Sequence, residues 1–195
     1  MLISALVSDK ECKELYKIGK VVENNIVEIG SFQGESTTCL AKGSIDGNKV
    51  KIYAIDLWNL RELSDKVIEN YKREIEKKKR LNFKRIEVWE RFLQRLQDEK
   101  IEEYVIPVKG SSVEIAKVWN SPIGALFIDG DHSYKGCLND YLEFGKHVVS
   151  GGYIIFHDVT GEGVKKVIEK HLIPSDKWFN YKYIPDTVLF IAEKK

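Results

Sequence analysis

One stretch, Ile26-Val27-Glu28-Ile29-Gly30-Ser31-Phe32-Gln33-Gly34-Glu35-Ser36-Thr37, narrows the folds open to this chain more than any other. A β-branched apolar run meets two glycines four places apart, then small and helix-forming residues. That order predicts strand, tight loop and helix. Gly30 lets the chain turn off the strand, and Gly34 lets a ligand or a neighbouring backbone come close where a Cβ would block it. The spacing is wrong for a dinucleotide, which needs Gly-x-Gly-x-x-Gly, because Phe32 stands at the second glycine and the last glycine comes one place early. No Gly-x-x-x-x-Gly-Lys-Ser/Thr is present either. Glu28 repels phosphate and attracts an ammonium, so an anionic ligand is disfavoured at this loop. A purely structural turn in some other α/β protein remains the alternative at this point.

A chain of 195 residues with 43% hydrophobic residues can bury one good core. One domain, 1–195, is therefore expected. The formal net charge of +1 sets up no overall field for nucleic acid or an anionic membrane. No apolar run approaches the ~20 residues of a spanning helix. The apolar start, residues 1–7, has no basic leader or small-residue cleavage site and reads as mature protein. A soluble, cytoplasmic protein with no membrane partner is expected. Cys12, Cys39 and Cys137 lie far apart without metal-ligand spacing, and are expected to be free thiols.

In chain order, residues 8–20 predict a short amphipathic helix, and the helix after the glycine loop is expected over about 35–42, stopping at Gly43. Val50 to Asp56 predicts a second strand. Its terminal acid comes roughly twenty residues after the glycine loop, where a βαβ unit places a carboxylate for the hydroxyls of a ribose. Leu57 or Trp58 is placed to cover a base. Residues 59–100 form a highly charged helical insertion, longer than one crossover needs, for which a lid, a dimer contact and a solvated arm stay open. Its Lys77-Lys78-Lys79-Arg80 run has no interleaved aromatics, so nucleic acid is disfavoured. Tyr104 to Lys109 predicts a strand that Pro107 suits to a sheet edge, followed by Gly110-Ser111-Ser112. Ile123 to Ile128 is uniformly apolar, as central parallel strands are, and ends in Asp129-Gly130-Asp131-His132-Ser133-Tyr134. After Ser150-Gly151-Gly152, a strand over Tyr153 to Phe156 ends in His157-Asp158. Two last strands, about 179–184 and 187–192, form a hairpin through Pro185-Asp186.

Glu28-Ile29-Gly30-x-x-x-Gly34, Ile128-Asp129-Gly130-x-His132-Ser133-Tyr134 and Gly151-Gly152-x-x-x-x-His157-Asp158 together resemble the class I S-adenosylmethionine-dependent methyltransferases. The likeness is to the subfamily of small-molecule O-methyltransferases and covers roughly residues 25–160. It implies an α/β fold: a three-layer αβα, Rossmann-like sheet of about seven strands, mostly parallel, with an antiparallel terminal hairpin strand. It implies S-adenosylmethionine as cofactor, held by Glu28, Gly30, Ser31, Gly34, Asp56, Leu57, Ser111, Ser112 and Asp129. Ser111 stands where many relatives carry Asp. The resemblance also implies a divalent metal at Asp129, His157 and Asp158. Magnesium prefers all-oxygen sites, and a histidine shifts preference towards manganese, zinc or iron. Asp129, His132 and His157 are the catalytic candidates, with either histidine as the base for a hydroxyl acceptor. A silent S-adenosylmethionine-binding module, and an enzyme using another nucleotide such as a nicotinamide oxidoreductase, are the alternatives. The small-molecule acceptor itself is not specified by these residues, and a homodimer is one expectation for the insertion.

Overall fold

In the computed structural model, residues 7–58 and 87–195 are described. Ser8 caps helix α1 (Asp9–Val21), its hydroxyl accepting from the Glu11 N–H while Glu11 reaches back to the Ser8 N–H. Strand β1 (Ile26–Ile29) feeds α2 (Glu35–Ile45), and β2 (Ile52–Asp56) follows. After the undescribed segment come α3 (Glu87–Asp98), β3 (Val105–Lys109), α4 (Ser112–Ala116), β4 (Ile123–Ile128), α5 (Tyr134–Gly145) and β5 (Val148–Phe156). Helix α6 (Glu162–Val167) runs into a π-helical turn, Ile168–Leu172, before β6 (Trp178–Tyr183) and β7 (Phe190–Lys194). Of the insertion, only α3 and residues 99–100 lie within the described residues. The basic run lies outside them, as does most of the stretch for which a lid, a dimer contact and a solvated arm are the alternatives.

The seven strands form one sheet in the order β3-β2-β1-β4-β5-β7-β6. β7 is antiparallel to both its neighbours, and the β1 to β5 pairings are parallel. The uniformly apolar β4 lies between β1 and β5, buried at every position. β3 is an edge strand, as Pro107 predicts. One face of the sheet packs Ile26, Ala54, Phe127 and Ile155 against Leu15, Leu40 and Phe92 of α1, α2 and α3. The other packs Val27, Leu126 and Phe156 against Phe144, Val164 and Leu172. The result is the expected three-layer arrangement. Among the described residues no helix is long and apolar enough to cross a membrane.

Four local expectations are corrected. α2 passes through Gly43 to Ile45, because this glycine serves packing: a Cβ there would lie 2.1 Å from the Tyr16 carbonyl oxygen of α1. Gly151 (φ 78°) and Gly152 sit inside one continuous nine-residue β5, beside a register shift against β4. The last strand starts only at Phe190, since the Val188 N–H donates to Glu11 and its carbonyl accepts from Val159. Finally, Cys12 and Cys39 form a disulfide that ties α1 to α2, leaving Cys137 as the buried free thiol. The close seating of α1 on α2 brings the two sulfurs together, and no sequence spacing announces it. Cysteine usage therefore gives no argument for a reducing compartment.

Candidate active site

Parallel register decides which side chains meet at the carboxyl ends of the strands. Glu28 pairs with Ala54 and Phe127, and Phe127 pairs with Ile155, so all four point to the face covered by α1, α2 and α3. Side chains repeat every two residues along a strand. Two places further on stand Asp56, Asp129 and His157, which therefore share that face at the tips of β2, β4 and β5.

The glycine loop lies between them. The Gly30 N–H donates to the Ile55 carbonyl, and the Asp129 N–H donates to that of Ile29, which joins three strand tips. Gly30 has φ 91°, and a Cβ on it would meet the Asp129 carbonyl oxygen at 2.1 Å. Gly34 has φ 81°, but its bare side is covered by the Phe92 ring and the Arg95 stem, 3.1 and 3.3 Å from where a Cβ would stand. The expectation that a ligand approaches at Gly34 is corrected: α3 takes that space. Arg95 Nε also donates to the Gln33 carbonyl at 2.7 Å, pinning the loop from outside.

Glu28 is likewise corrected. It is fully buried, and its two carboxylate oxygens accept from the hydroxyls of Ser36 and Thr37 in the first turn of α2. Burial pushes its pKa up to about 7, against those two hydrogen bonds. It offers no surface to a ligand and holds the loop from beneath. The Ser31 hydroxyl, buried beside it, opposes that rise in pKa as a third hydrogen-bonding neighbour.

Asp56 is half-buried, and its Oδ2 and Oδ1 accept from the backbone N–H groups of Phe32 (2.8 Å) and Trp58 (2.7 Å). The Leu57 N–H also bonds to it, and since a carboxylate has about four acceptor sites, some acceptor capacity is left over. Leu57 is half-buried beside it. Trp58 belongs to packing: it is buried against Trp89 and Phe92, with its indole N–H on the Phe32 carbonyl. Ser111 and Ser112 are half-buried at the tip of β3, where the Gly110 N–H donates to the Asp56 carbonyl.

Five ionisable groups converge at the tips of β4 and β5. His132 spans two acids, Nε2 lying 3.2 Å from Asp129 Oδ1 and Nδ1 3.3 Å from Asp158 Oδ2. Burial lowers its pKa, but the hydrogen bond and charge of Asp129, then the charge of Asp158, outweigh it and raise the net value. His157 is buried, its Nδ1 3.1 Å from Asp129 Oδ1 and 3.7 Å from Asp158 Oδ2, its Nε2 3.7 Å from Glu11 Oε1. Acids thus face both ring nitrogens. Burial again opposes protonation, yet three surrounding carboxylates lift its pKa to about 12. An imidazolium has no lone pair. Charged, His157 pairs with Asp129 and Asp158, and the residues with ligand geometry include His132 in its place.

Among the described residues, Asp129, His132 and Asp158 form a cluster with ligand geometry, one donor atom from each within 4.8 Å of one another. Two carboxylate oxygens and an imidazole fit manganese, iron or zinc better than magnesium. Glu11 is the participant that sequence reasoning missed. Its Ser8-x-x-Glu11 spacing was visible as a capping box, but its approach to His157 across the fold had no local signal. His147 and His171 lie away from the strand tips, the latter's Nε2 2.6 Å from the Tyr134 hydroxyl.

Residues 27–159 match a protein family described as a methyltransferase domain. A protein of Acanthamoeba polyphaga mimivirus named uncharacterized protein R132 is 28% identical over 132 residues, 68% of this chain and 50% of the viral protein. The chain thus spans about half the length of that relative. Among solved structures, the O-methyltransferase NovP superposes with a TM-score of 0.72 at 15% identity, over 95% of this chain and 80% of that one. The Streptomyces achromogenes O-methyltransferase TomG, solved with S-adenosylmethionine, gives 0.64 at 16%, over 97% and 81%. An rRNA methylase of Streptococcus thermophilus gives 0.60 at 18%, over 97% and 99%.

Proposed function

The chain belongs to the methyltransferase-domain family, and from that membership we propose that it transfers the methyl group of S-adenosylmethionine to a hydroxyl oxygen of a small molecule. The observation that carries the reading is the row of Asp56, Asp129 and His157 at three adjoining strand tips, with His132 and Asp158 beside it, all inside residues 27–159. Open α/β sheets bind ligands at this end. The fit to the donor rests on Asp56, which has acceptor capacity left for ribose hydroxyls beyond its bonds from the Phe32, Leu57 and Trp58 N–H groups. Leu57, Ser111 and Ser112 flank the base, while Glu28, Gly30 and Gly34 set the shape of the loop.

In the transfer, the acceptor oxygen forms a bond to the methyl carbon as the carbon–sulfur bond breaks. The electron pair returns to sulfur, leaving an uncharged thioether. The protein aligns the two partners and takes up the hydroxyl proton. His132, between Asp129 and Asp158, accepts that proton in its neutral form, on the ring nitrogen that carries no hydrogen. A divalent ion held by Asp129, His132 and Asp158 would supply a lowered hydroxyl pKa when bound. His157, its Nδ1 3.1 Å from Asp129 Oδ1, holds that carboxylate in place.

A small acceptor is favoured over RNA because the chain balances 31 Lys and Arg against 30 Asp and Glu, and phosphate backbones demand a basic surface. The test is a methyl-transfer assay by mass spectrometry, with catechol and sugar hydroxyls against an rRNA fragment, alongside calorimetric titration with S-adenosylhomocysteine. Methylation of RNA alone would overturn the acceptor. Binding without transfer to any acceptor would favour a silent module. No binding at all would overturn the donor.

A further inference from the structure

Among the described residues, Asp140 is the buried acid for which methyl transfer provides no task. It lies on α5 with 3% of its surface exposed. Its Oδ1 accepts from the Ser112 hydroxyl at 2.6 Å, and its Oδ2 turns towards Gly130, 3.6 Å from where a Cβ on that glycine would stand. The carboxyl group is thus wedged between the tip of β3 and the tip of β4. Ser112 itself is only half-buried, at the end of the sheet where Asp56 also lies.

A hydroxyl has one proton and two lone pairs. Once Ser112 gives that proton to Asp140, it has only lone pairs to present outward. The geometry points to Asp140 as a specificity-determining positioning residue: it makes the Ser112 oxygen an obligate acceptor, which receives the exocyclic amino group of a 6-aminopurine and rejects a 6-oxopurine. This inference rests on the reading of the site as an S-adenosylmethionine site. The β3 tip lies next to Asp56, through the bond from the Gly110 N–H to the Asp56 carbonyl. A nucleoside with its ribose on Asp56 therefore has its base within reach of Ser112. Burial raises the Asp140 pKa to about 6, against the Ser112 hydrogen bond that lowers it, so the acid is ionised and accepting at neutral pH. The same polar pair would be an odd way to anchor a loop alone, because a 6-oxo group facing two acceptors is repelled, whereas an amino group satisfies one of them.

Calorimetric titration of the full chain with S-adenosylhomocysteine and S-inosylhomocysteine tests it, in wild type, Asp140→Asn and Ser112→Ala. Wild type should bind the inosyl compound at least about tenfold more weakly, the worth of one unmatched hydrogen bond. In Asp140→Asn the side-chain amide can donate to Ser112 Oγ and release the hydroxyl proton outward, so the preference should shrink to about threefold or less. Ser112→Ala removes the acceptor and should shrink it likewise; this variant decides the matter if Asp140→Asn does not fold. A loop-anchoring role would weaken both ligands together and leave their ratio unchanged. An unchanged ratio in the variants, or no discrimination by wild type, overturns the inference while leaving the cofactor reading intact. Failure of wild type to bind either thioether overturns the cofactor reading itself.

Discussion

Glu11 and His157 carry opposite charges in a buried setting, and their displaced pKa values fix where the pair stabilises the fold. Burial works against ionisation of Glu11, but His157 and the hydrogen bonds from Ser8 and Val188 lower it from 4.5 to about 2. Its contribution is complete above pH 4.5 and disappears as the pH falls through 2. His157 is raised from 6.5 to about 12, so its contribution is complete below pH 6.5 and declines as the pH climbs towards 12. Both are complete only between 4.5 and 6.5. Glu11→Gln should therefore lower stability by about 1–3 kcal/mol near neutrality and flatten the acid side of the curve. Urea midpoints between pH 6 and pH 3 that fall as steeply in the variant as in wild type would remove this account. At Asp56, substitution by Ala should weaken S-adenosylhomocysteine by roughly 1–3 kcal/mol through lost charge-assisted bonds. An unchanged dissociation constant would exclude it from the ribose. The two residues differ in legibility. Asp56 could be placed from its distance to Gly30 and its position at a strand end, both local features. Glu11 could not, because its partner His157 lies on β5 and only the folded sheet brings α1 there.

Between elements, the contact of α1 with α2 is set by glycines and then locked by sulfur. Added Cβ atoms at Gly19, Gly43 and Gly47 would meet the carbonyl oxygens of Leu40, Tyr16 and Lys20 at 2.3, 2.1 and 1.9 Å. Gly43→Ala should cost about 1–3 kcal/mol, because both sides of the contact are backbone and neither helix can yield cheaply. Cys12 and Cys39 are 27 residues apart, and closing a loop of that size stabilises by about 3 kcal/mol in the chain-entropy account. Cys12→Ser, or dithiothreitol on wild type, should lower the guanidinium midpoint to a similar extent, with no further effect of reductant on the variant. Equal midpoints with and without reductant would show that the bridge does not form. In sequence, Gly43 reads as a helix stop and the cysteines as free thiols. Both readings are local, and both fail because the deciding partner is another helix. β4 shows the opposite case, since six consecutive apolar residues are themselves the signature of a central strand.

For the whole molecule, a ligand that binds only the folded chain must stabilise it. At a hundredfold excess over its dissociation constant, S-adenosylhomocysteine should add about 2.7 kcal/mol. For a chain of this length that raises the melting temperature by roughly 5–10 °C, and a scan without such a shift would count against the donor. Strand and helix order were legible from periodicity and glycine placement. The sheet order was not, because it depends on crossovers that no segment encodes; the resemblance of the strand-tip motifs implied the number and sense of the strands but not their order. The site was legible where the acid sits on a strand end, as at Asp129, and less so where neighbours enclose a side chain, as at Glu28. The buried Glu11–His157 pair has an implication for how this protein is trimmed. The residues that match the family begin at 27 and end at 159, yet Glu11, Cys12 and Val188 fall on either side of them. A fragment excised to those limits would keep every strand-tip acid and still be a different object: its fifth-strand histidine would have lost a counterion, and Cys39 would be left as an unbridged thiol. Borders drawn from shared ancestry would then cut through the machinery they were meant to enclose.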